Sequence, residues 1–151
     1  HMGENRIERS VDIAASVSRV WEALADHRQF GEWFGVKLDG PFTVGKPVRG
    51  KITYPGYEHV TFEVVVTALE KPRRLAWTWH PYAIDPAVDY SGEKPTTVEF
   101  VLAEVGTGTR VTVVETGFDH LPRHRRPDAL RMNTSGWEEQ MRNIADYVAA
   151  H

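Results

Sequence analysis

The sequence predicts an α+β fold, and three observations carry that prediction. Trp137, Met141, Ile144, Ala145 and Val148 recur at i, i+4, i+7, i+8 and i+11, the spacing of one apolar stripe on a C-terminal helix. From Val36 to Phe118 the chain instead alternates apolar and polar residues between turns rich in Gly and Pro. Between the first strand and this region, Val17, Val20, Trp21 and Leu24 return to helical spacing. The order strand, one or two short helices, antiparallel strands and long helix belongs to the α+β class. A lone helix with one apolar stripe needs a surface to lie on, and only the sheet is large enough. That arrangement can enclose a cavity.

The elements follow in order. Arg6 to Ile13 alternates with Ile7, Val11 and Ile13 in phase and reads as a strand. Ser16 or Ser18 can cap the helix that follows. Gln29 to Phe34 is a second short helical piece whose Phe30, Trp33 and Phe34 should dock on the body of the domain. Short strands are expected at Val36–Leu38 and Val48–Tyr54, separated by Gly40-Pro41, Gly45 and Pro47 and closed by Pro55-Gly56. Val60 to Ala68 and Arg74 to Trp79 form the next pair. His80 to Pro95 has three prolines and no period, which marks a functional or mobile loop. Thr96–Glu104 and Thr109–Phe118 make a hairpin that turns at Val105-Gly106-Thr107-Gly108. Those glycines are turn residues rather than a phosphate cradle, because no helix and no lysine follows in the required place.

Composition narrows the function classes. With 41% hydrophobic residues, 26% charged residues and a formal net charge of −3, the chain has no field that would attract nucleic acid or an anionic surface. The absence of cysteine excludes disulfides, thiolate nucleophiles and thiolate zinc sites. No apolar run approaches the roughly 20 residues of a membrane span, and no signal segment is evident, so a cytoplasmic location is expected. His1-Met2 reads as the remnant of a removed tag, leaving one domain over residues 3–151.

The run Ile13 to Leu24, with its Val20-Trp21 pair, and the later Trp33-Phe34 resemble the opening of helix-grip proteins of the START-like (SRPBCC) superfamily. Glu115-Thr116-Gly117-Phe118 and Gly136-Trp137 are similar to the family named after the activator of Hsp90 ATPase homologue 1. The resemblance implies a curved antiparallel sheet of six or seven strands gripping the C-terminal helix, with an internal cavity for an apolar small molecule. It also moves the start of that helix. Ser135-x-x-Glu138 has the form of a capping box, but in similar proteins the helix begins earlier, here near Pro127 or Asp128. Gly136 then lies inside the helix, where close approach of sheet or ligand would account for it. The 80–95 segment is longer than the link usual at this place; it covers the cavity entrance or is a surface excursion.

Strand alternation assigns the inward faces. Phe62, Val64 and Val66; Leu75, Trp77 and Trp79; Val98, Phe100 and Leu102; and Val111 and Val113 point inward, and the last set brings Glu115 with it. A buried carboxylate is costly unless matched, so Glu115 is the candidate for a ligand contact or an acid/base role; a strand-end carboxylate satisfied by solvent or an arginine is the alternative. Candidate ligand-binding residues are Tyr54, Phe62, Trp77, Trp79, Phe100, Val113, Glu115, His120, Trp137 and Met141, although the aromatics serve equally well as core. Pro122 between His120 and His124 argues against a metal site, and Arg123-His124-Arg125-Arg126 reads as a solvated loop.

The expected function is binding of a small hydrophobic, aromatic or lipid-like molecule, with no metal or cofactor. The alternatives are a polyketide cyclase- or dehydratase-like enzyme using the same cavity with Glu115, and a protein-interaction role. A chaperone partner is not expected, because the chain carries no separate N-terminal domain like that of the eukaryotic co-chaperone. A homodimer is left open.

Overall fold

The strands arrange as one antiparallel sheet in the order β1-β7-β6-β5-β4-β3-β2, in a computed structural model that describes residues 5–151. The reading of His1-Met2 as a tag remnant lies outside those residues. The strands are β1 (Arg6–Ile13), β2 (Val36–Leu38), β3 (Pro47–Ile52), β4 (Thr61–Glu70), β5 (Arg74–Trp79), β6 (Thr96–Val105) and β7 (Gly108–Thr116). The helices are α1 (Val17–Ala25), α2 (His27–Phe34) and α3 (Arg126–Ala150). Together they form a helix-grip α+β fold: α3 crosses the sheet closest to β1, and α1 and α2 meet its flank. A break in register between Val66 and Ala68 bends β4 and adds to the curvature.

Local chemistry sets the element ends. The Ser16 hydroxyl accepts from the Arg19 amide (3.2 Å) and the Asp26 carboxylate from the Arg28 amide (3.2 Å), each satisfying an otherwise orphaned donor. Gly35 ends α2 with φ 89°, and a Cβ there would lie 2.5 Å from the Tyr54 ring, so only glycine fits. β3 ends at Ile52, not at Tyr54 as the sequence pattern suggests, because the chain turns at Pro55-Gly56, where the Tyr57 amide donates to the Tyr54 carbonyl (3.2 Å). β7 likewise stops at Thr116: Gly117 adopts φ 101° and Phe118 opens a 3₁₀ turn instead of extending the strand. Helix α3 starts at Arg126, one residue before the expected position, with Pro127 in its first turn.

Arg123 and His124 of the basic run are exposed as expected of a solvated loop, but its other half is not. Arg125 turns inward to Glu93, and Arg126 Nη2 donates to the carbonyls of Asp119 (3.0 Å) and Leu121 (3.1 Å). Carbonyls left over by the 3₁₀ turn and a carboxylate in the 80–95 segment capture these guanidinium groups.

Inward residues of neighbouring strands line up in rows. Ile7, Glu115, Val98 and Trp77 are successive cross-strand partners, as are Val113, Phe100 and Leu75 in the next row. Phe30 on α2 sits at the hub of the aromatic packing, with ring centroids 4.9 Å from Trp33, 4.8 Å from Phe34, 5.2 Å from Phe42 and 5.8 Å from Trp77. Phe30→Ala should therefore lower the unfolding free energy by about 3–5 kcal/mol in urea titration; a loss below about 1 kcal/mol would contradict this role.

Candidate functional site

Glu115 is fully buried, in a row of apolar side chains. Its carboxylate accepts four hydrogen bonds. Oε2 receives the Trp79 indole N–H (2.8 Å) and the Thr96 hydroxyl (2.6 Å), and Oε1 receives the Asn133 amide (2.9 Å) and the Trp137 indole N–H (2.8 Å). An ionised carboxylate has about four lone-pair sites, so these donors saturate it. Burial pushes the Glu115 carboxyl above its ordinary 4.5, and the hydrogen bonds from Thr96, Trp137, Trp79 and Asn133 pull in the opposite direction. None of the four partners carries a positive charge. The donors come from β5, β6 and α3, so one side chain of β7 ties the sheet to the helix.

Two of those donors also wall a cleft. Trp79 and Trp137, with ring centroids 5.8 Å apart, lie beside an opening of about 980 Å³ bordered by residues 132–143 of α3, the ends of β3 to β5 and the 80–95 segment. The cleft opens to solvent at a rim that includes Tyr54 and Tyr57, 40% and 37% exposed. Gly136 faces it, and a Cβ added there meets no atom of a neighbouring element within 4 Å. The space is thus an open cleft at one end of the sheet rather than an enclosed hollow beneath the whole helix.

Of the residues singled out in the sequence, Tyr54, Phe62, Trp79 and Trp137 border this cleft. Trp77, Phe100, Val113 and Met141 do not; they are buried in the core. Glu115 stands behind the Trp79–Trp137 wall. His120 projects from the 3₁₀ turn with a 45% exposed side chain, next to Asp119 and away from the cleft. Among the described residues no group of three metal-ligating side chains occurs.

Several bordering residues carried no sequence signal. His80 borders the cleft, and its buried Nδ1 finds no hydrogen-bond partner among the described residues. Tyr82, Tyr90 and Asp89 arrive with the aperiodic segment, and Glu139 and Asn133 with the polar flank of α3. For Asn133, helical phase offered a clue: it stands four residues before Trp137 and so shares its flank.

The 80–95 segment is held in place by Arg125. Its guanidinium grips Glu93 with contacts of 2.8–3.2 Å and donates to the carbonyls of Pro81 and Tyr82 at 3.0 Å. It also lies 4.7 Å from the Tyr90 ring centroid. The ion pair is mostly shielded, with side chains 11% and 14% exposed. Tyr82 adopts φ 53°, a left-handed conformation that non-glycine residues avoid, and Arg125 bonds its carbonyl. Arg125→Ala would strand Glu93, and should destabilise the protein by about 3 kcal/mol. Amide exchange across residues 81–93 should quicken more than in β6 and β7; uniform exchange would contradict the latch.

Glu115→Gln replaces one acceptor oxygen by a donor. Thr96 or Asn133 can rotate to accept from it, but whichever oxygen is replaced, one indole N–H loses its partner, at a cost of about 1–3 kcal/mol. The pH dependence has a defined sign. With the folded pKa raised above 4.5, the native state takes up the proton first, so the Glu115 contribution to stability increases as the pH falls through the raised value and levels off below 4.5. The stability gap between wild type and Glu115→Gln should therefore widen from neutral pH toward pH 4.5, measured by chemical denaturation; a gap that narrows would contradict it.

The architecture has relatives. A family model described as activator of Hsp90 ATPase homolog 1-like protein matches residues 14–149. No curated protein matches. Among solved structures, a protein from Arthrobacter aurescens is similar at 20% identity with a TM-score of 0.80, over 100% of this chain and 90% of that one. DynU16, from the dynemicin biosynthetic locus, is similar at 23% identity with a TM-score of 0.74. That match takes in 96% of this chain but 47% of DynU16, so the chain spans about half the length of that relative. The Aha1 dimer from Colwellia psychrerythraea is similar at 17% identity with a TM-score of 0.71, over 95% of both chains. At these identities the structural likeness speaks for the fold, and the family model covers the first helix, the strands that follow and nearly all of α3. The chain belongs to the activator of Hsp90 ATPase homolog 1-like family.

Proposed function

We propose that the cleft binds a small hydrophobic molecule, aromatic or lipid-like, between the middle turns of α3 and the ends of the sheet strands. The observation that carries this reading is an opening of about 980 Å³ bordered by Trp33, Phe34, Tyr54, Phe62, Trp79 and Trp137 beside a glycine in mid-helix. Ligand pockets commonly run from about 300 to 1,000 Å³ and are largely apolar with a few polar groups. A ligand that withdraws about 200 Å² of apolar surface from water gains about 5 kcal/mol before the costs of association. Orientation falls to the polar groups at the border, among them Tyr54, His80 and Asn133.

The saturated state of Glu115 favours binding over catalysis. The carboxylate offers the cleft no free lone pair, so a cyclase- or dehydratase-type reaction would find no acid or base at that position. Its part is to hold Trp79 and Trp137 at fixed angles, which preforms the aromatic wall.

Gly136 provides the test. Gly136→Ala should stabilise α3 by about 1 kcal/mol and leave a hydrophobic fluorescent probe bound saturably. Gly136→Leu projects a side chain into the cleft and should weaken that probe at least about fivefold, equivalent to about 1 kcal/mol, while circular dichroism stays native. Non-saturable probe binding, or equal affinity in the leucine variant, would contradict the reading. Native mass spectrometry of freshly purified protein would identify a retained ligand's chemical class.

A further inference from the structure

The charge of the cleft border is one-sided. Glu63, Asp89 and Glu139 are its carboxylates, and no Lys or Arg lines it among the described residues. Glu63 is paired with Arg49 (3.2 Å), and the Arg125 guanidinium that reaches the 80–95 segment is paired with Glu93. Asp89 is ionised and exposed, its carboxylate receiving the Ser91 amide at 3.0 Å. Glu139, on the α3 side, has no ion-pair partner among the described residues. Its charge is felt by Tyr54, whose phenol is pushed above its ordinary 10.0 by burial first and by Glu139 second. Tyr54 in turn packs edge to face with Tyr57, ring centroids 5.6 Å apart. Uncompensated carboxylates and electron-rich ring faces attract the same kind of group.

Resting on the proposed ligand-binding role of this cleft, we infer that it selects its ligand by charge: an aromatic or alicyclic body carrying a protonated amine, in preference to the carboxylates and phosphates of fatty acids and phospholipids. The apolar body lies against Trp79 and Trp137, and the ammonium faces the tyrosine rings and Glu139 at the rim. An ammonium there gains Coulomb attraction from Glu139 and cation–π attraction from Tyr54 and Tyr57. A carboxylate placed at the same point meets repulsion from both and finds no Lys or Arg in the border among the described residues.

The test is isothermal titration of the intact protein with three probes that share one apolar body: naphthylmethylamine, naphthylmethanol and naphthoic acid, at pH 7. The expected order of affinity is amine, alcohol, acid, with the amine bound about tenfold or more tighter than the acid at low salt. That ratio should shrink at about 0.5 M salt, where exposed charges are screened, and in Glu139→Gln. An acid bound as tightly as the amine, or a ratio untouched by salt and by Glu139→Gln, would overturn the charge selection while leaving the receptor reading intact, because the alcohol still binds. If none of the three binds saturably, the receptor reading itself falls, and the charge selection with it.

Discussion

The carboxylate of Glu115 is the constraint on which the arrangement of helix, sheet and cleft depends. Placing such a group in an apolar row costs several kcal/mol unless each oxygen is matched by donors. Here the match is met by groups from β5, β6 and α3, so the cost of burial can be recovered only when helix and sheet are docked in one register. Apolar contacts alone tolerate sliding and repacking; four directional bonds to one side chain do not. Hydrophobic burial supplies the bulk of the stabilisation, and Glu115 selects which of the packed arrangements is reached.

The same bonds link fold to site. Trp79 and Trp137 donate their indole N–H groups to Glu115 and turn their rings toward the cleft, so its wall is fixed from behind by the core. The opposite border is fixed differently, by Arg125 clasping the 80–95 segment through Glu93 and two backbone carbonyls. One wall is thus rigid because it belongs to the core. The other is a loop without regular structure held mainly by one side chain, and it is the natural place for the cleft to widen when a ligand enters.

Much of the fold was legible in the sequence because its signals are local and periodic. The period-two alternation gave the inward faces of β4 to β7, including that of Glu115, and the Trp137–Val148 stripe gave the long helix. The start of that helix near Pro127 followed from the family resemblance rather than from the Ser135-x-x-Glu138 pattern, since a capping box is a side-chain motif that an established helix simply runs through. What remained hidden is non-local. The donors to Glu115 are 18 to 36 residues away along the chain, and no alternation pattern specifies which indole will face a carboxylate. The inward turn of Arg125 depends on the path of an aperiodic segment, and so do the positions of His80, Tyr82 and Tyr90. Strand phase also cannot say how far along the helix the packing closes, which is why Trp77 and Phe100 share a face with Trp79 yet lie in filled core.

Whether Glu115 ties helix and sheet together is read out by a joint NMR titration of the Glu115 side-chain carboxyl carbon and the tryptophan indole N–H signals in the folded protein. The chain has 5 tryptophans, so the indole signals are few and assignable. The Trp79 and Trp137 indole signals should shift together, with one midpoint shared with the carboxyl carbon and lying above 4.5, while the Trp33 indole, bonded to the Ala23 carbonyl, stays still. Indole signals that ignore the carboxyl titration, or a carboxyl that titrates as an ordinary solvent-exposed glutamate, would contradict it.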